Sequence, residues 1–158
     1  MKPDPLPSGA AQMVKRTSHK QASCPVARPL DVIGDGWSML IVRDAFEGLA
    51  RFGEFQKSLG LAKNILAARL RNLVEHGVMV AVPAESGSHQ EYRLTDKGRA
   101  LFPLLVALRQ WGEDYFFDPD ESHVRLVERG SGQPVPRLQV RAGDGSPLAA
   151  EDTRVSRD

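Results

Sequence analysis

Residues 61–94 read LAKNILAARLRNLVEHGVMVAVPAESGSHQEYRL. Leu66, Leu70 and Leu73 recur at the spacing of one helical face. Asn64, Ala67, Ala68, Arg71 and Glu75 fall on the opposite face, with Lys63 and Arg69 on its flanks. Gly77 then supplies a helix stop. Residues 78–82 have β character and end at Pro83, 85–89 form a turn-rich tip, and 90–94 return as a second strand. The stretch predicts a basic amphipathic helix over 63–76 followed by a β-ribbon. A helix of this size fits a major groove, and a ribbon beside it can reach the adjacent backbone or minor groove.

Upstream, three shorter helical patterns precede this one. Pro25 suits a first helical turn, Val26, Leu30 and Ile33 supply a face, and Gly34 ends it. A second, apolar helix spans 37–46, with Trp37, Leu40, Ile41 and Ala45 on one stripe and Gly48 as its stop. A third, over 53–59, is expected to bury Phe55 and Leu59, with Phe52 before it as a hydrophobic staple. Downstream, Thr95 is a good N-cap for a long helix reaching 116. Its apolar stripe is Leu101, Leu104, Leu105, Leu108, Trp111 and Tyr115, and Pro103 within it predicts a kink or a late start. Such a stripe exceeds what a small domain covers by itself, and a second subunit is the simplest cover. Residues 123–127 and 135–141 read as strands of a small extension. The fold class is therefore α+β and mainly α: a winged helix-turn-helix with a long C-terminal dimerisation helix and a small β extension. The division is a flexible tail over 1–22, a DNA-binding and dimerisation domain over 23–118, and the β-rich extension over 119–158.

Bulk composition narrows the function classes. The 158 residues suffice for one packed domain with appendages, and 41% hydrophobic with 26% charged residues is ordinary for a soluble globular chain. A net charge of +1 argues against a polybasic binder but leaves local basic clustering open. The single cysteine, Cys24, excludes an intrachain disulfide and fits a reducing cytoplasm. No apolar run approaches a membrane span, and the first fifteen residues lack the apolar core of a secretory signal, so a cytoplasmic location is expected. The chain has no HExxH, P-loop or GxSxG, and Gly34-Asp-Gly36 lacks the third glycine of a dinucleotide fingerprint. His19, His76, His89 and His123 are scattered, and Asp118, Asp120 and Glu121 lack an EF-hand's glycine and spacing. No enzyme activity, cofactor or metal is called for.

One set of motifs carries a resemblance. Cys24-Pro-Val, Leu30-Asp-Val-Ile-Gly-Asp-Gly-Trp37, Arg51-Phe52-Gly-Glu-Phe55, Ala68-Arg69-Leu70 with Leu73, Glu91-Tyr92-Arg-Leu94-Thr95-Asp-Lys-Gly98 and Ala107-Leu108-Arg-Gln-Trp111-Gly112 occur in one order over residues 24–112. In these the chain resembles the HxlR-type bacterial transcription regulators, relatives of the MarR group. The resemblance implies a dimeric winged helix-turn-helix that binds an operator. It also implies a recognition helix over 63–76, a wing tip over 85–90, and a dimer built from the first and last helices of the core domain. Two departures stand out. Ala62 replaces the polar cap common before the recognition helix, and the tail lacks the cysteines of the zinc-ribbon-like extension found in some relatives, so zinc cannot be argued for it.

The candidate DNA-binding residues are Arg51, Lys63, Asn64, Ala68, Arg69, Arg71, Ser88, His89, Gln90 and Arg93. Asn64 and Arg71 have the chemistry to pair bidentately with adenine and guanine. Lys63 and Arg69 suit phosphates, which set register without reading sequence. For Arg93, a salt bridge on an exposed strand stands as an equal alternative. The candidate dimer interface is Val26, Leu30, Leu101, Leu104, Leu105, Leu108, Trp111 and Tyr115. Trp37 and Trp111 are read first as core or interface aromatics, and second as walls of a ligand pocket. Cys24, at a helix start with Lys20 and Arg28 near in sequence, is a candidate redox sensor, set against a small buried residue supporting the dimer helices. The expected function is sequence-specific regulation of transcription, read as repression, by a homodimer on an inverted repeat of double-stranded DNA. A response to a small-molecule effector or to thiol oxidation is left open, and no membrane partner is expected. The competing reading is a winged-helix module whose basic helix docks an acidic protein.

Overall fold

The computed structural model describes residues 18–156, so the tail expected over 1–22 lies outside the described residues as far as residue 17. The chain divides into two compact units, one ending at Arg93 and the other beginning at Leu94.

The first unit carries α1 (Ala27–Ile33), α2 (Ser38–Phe46), α3 (Phe52–Leu59) and α4 (Lys63–Glu75), then the hairpin of β1 (Met79–Pro83) and β2 (Gln90–Leu94). Helix α2 packs on α1, α3 and α4, and α4 packs on α3 and β1. The core is built from Ile41 and Val42 of α2, Phe55 of α3, and Leu66, Leu70 and Leu73 of α4, all fully buried. Leu61, Val78, Met79 and Ala84 close it from the loops and the hairpin. Arg51 forms an antiparallel bridge to Glu91, and the Tyr92 N–H donates to the Ala50 carbonyl at 2.8 Å, so the entry to α3 lies alongside the hairpin.

The turn between α3 and α4 depends on backbone that only glycine adopts cheaply. Gly60 closes α3 at φ +64°, and its N–H donates to Gln56 O. Helix α4 ends in a Schellman motif. The Gly77 N–H, at φ +69°, donates to Val74 O at 3.0 Å, and the Val78 N–H donates to Leu73 O at 2.9 Å. That reversal feeds the chain directly into β1.

The second unit begins with α5 (Asp96–Arg99), capped by the Thr95 hydroxyl, which accepts from the Gly98 N–H at 3.1 Å. Helix α6 (Phe102–Tyr115) follows, with Pro103 in its first turn. The single long helix expected from Thr95 is thus two helices, the second starting late where proline has no N–H to give. The strands expected over 123–127 and 135–141 are reduced to the isolated bridges Val127–Pro134 and Arg141–Pro147. Pro134, Pro136 and Pro147 each remove a backbone donor from any longer ladder. The extension ends in a short 3₁₀ turn, Ala150–Asp152.

Four further expectations need correction. Phe52 is the first residue of α3, not the residue before its cap, so it cannot act as a staple. Leu59 is only half-buried. Trp37 is 37% exposed and Trp111 54% exposed, so neither is a core residue. On α2 the buried positions are Ser38, Ile41, Val42 and Asp44, a stripe displaced from the one expected.

Removing a fully buried leucine leaves a cavity that the packed helices cannot collapse around. Leu70→Ala is expected to lower the unfolding free energy by roughly 2–5 kcal/mol. Ile65→Ala, at a position 38% exposed on the same helix, is expected to cost well under half of that. Urea denaturation of the two variants checks the contrast.

Candidate nucleic-acid interface

With Leu66, Leu70 and Leu73 buried, Lys63, Asn64, Ala68, Arg71 and Glu75 are left exposed on α4. Four of the ten residues expected to meet DNA, Lys63, Asn64, Ala68 and Arg71, thus share one solvent-facing surface. The helix begins at Ala62 with no side-chain cap, so its first N–H groups are unclaimed by a capping oxygen.

A second cluster forms where the hairpin meets the start of α3. Arg51, His89 and Gln90 line a concave surface with Phe52, Gly53, Glu54 and Tyr92. Glu54 accepts from the N–H groups of Ala50 and Arg51, both at 2.9 Å, and these bonds hold its carboxyl below the usual carboxylate range. Ser88 sits at the exposed wing tip, its hydroxyl 3.1 Å from that of Ser86 and 3.3 Å from His89 Nε2.

The remaining two arginines face carboxylates. Arg93 pairs with Glu91 at 2.8 Å, and Arg51 approaches the same carboxylate at 3.9 Å. Glu91 and Arg93 are two residues apart on one strand, hence on one face, so this pairing was readable from their spacing. Arg69 lies 3.6 Å from Asp35 Oδ1. Asp35 was not singled out by the sequence. Its Oδ1 accepts from the N–H groups of Trp37 and Ser38 at 2.8 and 2.9 Å, and its Oδ2 accepts from the Ser38 hydroxyl. The available signal was an aspartate three residues before the serine of a helix start. Asn72 adds a second tie, its Nδ2 donating to Val32 O at 3.0 Å. The end of α1 and the start of α2 are thereby fastened to one flank of α4.

Burial pushes the Asp35 carboxyl up, but the bonds from the Ser38 hydroxyl and the Trp37 and Ser38 N–H groups, with the charge of Arg69, outweigh it and lower its pKa. Cys24 is exposed, and the N–H groups of Ala27 and Val26 at the start of α1 hold its thiol below the ordinary value. Among the described residues no group of three or more His, Cys, Asp or Glu side chains could hold a metal ion, and no helix is long and apolar enough to cross a membrane.

Helices α2, α3 and α4, the last exposing a basic outer face, followed by a two-stranded wing, define a winged helix-turn-helix regulator. Residues 32–120 match the model of the HxlR-like helix-turn-helix family, and the chain belongs to that family. It is 40% identical over 127 residues to the HTH-type transcriptional regulator Mb3122 of Mycobacterium bovis, an alignment covering 79% of this chain and 80% of that one. Its fold is similar to the crystal structure of PA1607, a proposed transcription factor, with a TM-score of 0.87 and 97% identity over 90% of this chain and all of that one. It is also similar to the redox regulator HypR in its reduced form, with a TM-score of 0.54 and 31% identity over 58% of this chain and 92% of HypR. The chain is a helix-turn-helix transcriptional regulator.

A carboxylate with a lowered folded pKa stabilises the fold fully above its unfolded value, here 3.8, and that contribution is lost as pH falls through the lower folded value. Asp35→Asn is therefore expected to destabilise the protein at neutral pH by about 1–2 kcal/mol through the weakened cap and lost charge. The difference from the parent should shrink only below about pH 4. Denaturant melts at stepped pH test this, and a difference independent of pH would contradict it.

Proposed function

We propose that the chain is a homodimeric repressor that places α4 of each protomer in successive major grooves of an inverted-repeat operator. The observation that carries this reading is the division of α4 into a fully buried leucine face and an exposed face bearing Lys63, Asn64, Ala68 and Arg71. Asn64 and Arg71 read base edges, Ala68 allows close approach, and Lys63 binds phosphate. Arg51, Ser88, His89 and Gln90 serve the flanking backbone from the wing. Arg69 and Arg93 contribute there with their charge partly offset by Asp35 and Glu91. We keep residues 23–118 as the DNA-binding and dimerisation part, with 119–158 as an extension.

The dimer reading is supported by an apolar face left in solvent. On α6, Leu104, Leu108, Trp111 and Tyr115 are 48%, 47%, 54% and 72% exposed. Val26 and Leu30 at the start of the first unit are also exposed, and Leu101 is half-buried. Leu105 is buried within the single chain and supports the helix from inside. Cys24 is the proposed sensor. Its accessible, acidified thiol suits alkylation, or disulfide formation with a second thiol as a peroxide takes up the two electrons and is reduced. HypR, described as a redox regulator and solved in reduced and oxidised forms, supports that reading by similarity.

Arg71→Ala should weaken binding to the operator by about 1–3 kcal/mol while leaving random duplex nearly unaffected. Lys63→Ala should weaken both and lower the salt dependence by about one phosphate. Anisotropy titrations on both duplexes check the pair, and equal losses on both for the two variants would favour a protein-docking role for α4. Trp111→Asp should convert the dimer to monomer in sedimentation velocity. Maleimide labelling of Cys24 should reach half its maximal rate at lower pH than a free cysteine peptide, and Cys24→Ser should bind DNA with no response to peroxide.

A further inference from the structure

The C-terminal extension does not seal against α6. It is pinned there by Gln110, whose side-chain amide donates to Pro136 O at 3.0 Å and accepts from the Leu138 N–H at 2.9 Å. Around that anchor the chain arches over the helix and leaves a cavity of about 250 Å³ within this unit. Val106 of α6 and Leu126, Pro134 and Val135 of the extension supply its apolar surface. Its polar lining includes Arg109, Arg125 and Arg137 together with Glu113 and Asp114. Arg137 engages both carboxylates, which leaves the pair largely committed. Arg125 makes no ion pair or hydrogen bond among the described residues. His123, 4.0 Å from Glu113 and packed at a tilt against Phe117 with ring centres 4.8 Å apart, forms one side.

An apolar floor beside the uncommitted guanidinium of Arg125 fits one class of occupant. A cavity of about 150 Å³ suffices for a benzene ring. The larger space here admits a single ring or a short alkyl chain carrying one anionic head. Arginine meets a carboxylate with paired, charge-assisted hydrogen bonds, and the apolar walls cover the body. We propose that this cavity is a binding site for a small organic carboxylate, with Arg125 as the principal contact to the carboxylate and Val135 packing on its body.

The placement gives the site a route to regulation. Val106, Arg109, Gln110 and Glu113 lie on one face of α6, and Leu104, Leu108, Trp111 and Tyr115 on the opposite face. A ligand drawing the extension onto the first face would bias the helix that presents the second. The pocket would thus serve the small-molecule effector left open above and rests on the regulator reading for that consequence. Binding itself involves no DNA, so the two readings fail separately.

The test is isothermal titration of the full chain with benzoate, phenylacetate and hexanoate, each beside its neutral amide. At least one acid should bind saturably at one site per chain, and its amide about tenfold or more weakly. Arg125→Gln should cost a similar factor, and Val135→Trp, which fills the cavity, should abolish binding. Arg125 is exposed, so its replacement leaves the fold intact if the core account holds. Failure of all three acids to bind, equal binding of acid and amide, or binding unchanged in both variants would overturn the proposal. DNA binding measured on the same preparations distinguishes that failure from failure of the regulator reading.

Discussion

Leu66, Leu70 and Leu73 stack on one side of α4 and lose all contact with solvent. Each buried leucine contributes roughly 1.5–3 kcal/mol of hydrophobic stabilisation. A half turn of the helix about its axis would surrender that and drive Arg71 and Glu75 into an apolar core, where an unpaired charge costs several kcal/mol more. The outward direction of Asn64, Ala68 and Arg71 is therefore a consequence of packing, settled before any nucleic acid arrives. Gly60 closes α3 ahead of it and Gly77 follows its C-cap, so its exit into the wing is set by backbone geometry as well.

Polar contacts then fix what the leucines alone would leave loose. Asp35 caps the start of α2 and reaches Arg69, while Asn72 takes the carbonyl at the end of α1. One flank of α4 is held by a carboxylate and an amide, and its outer face is left clear. On the wing, Glu91 gathers Arg93 closely and Arg51 loosely, which moderates the positive charge of that edge.

The parts of this architecture that the sequence displayed are those governed by short-range periodicity. The leucine spacing of α4, the glycine at its end and the alternation of the hairpin were legible because each rests on helix or strand geometry within a few residues. The break between α5 and α6 was half legible, since Pro103 announced a late start without saying where α5 would close. The extension was misread because runs such as 135–141 have strand-forming side chains, while pairing depends on partners and on backbone donors that Pro134, Pro136 and Pro147 do not provide. Trp37 was misread because its burial depends on how neighbouring helices cross, which no local pattern records. Of the candidate site, the exposed residues of α4 were legible from helical phase. The salt bridge of Arg93 was legible from its place on an exposed strand, whereas Asp35 was not picked out because it lies 34 residues from Arg69.

Helix α6 shows the same logic applied to two faces. One side carries Gln110 and the polar residues that receive the extension, and the other leaves Leu108, Trp111 and Tyr115 in solvent. A dimer closed through such a face would set the spacing of two α4 helices, and that spacing is what an operator must match. Hydroxyl-radical footprinting of the chain on the DNA upstream of its own gene tests this most directly. The account predicts two protected windows related by a dyad and separated by about one helical turn, roughly 10–10.5 base pairs. A single window, or uniform protection indistinguishable from that on random duplex, would contradict it.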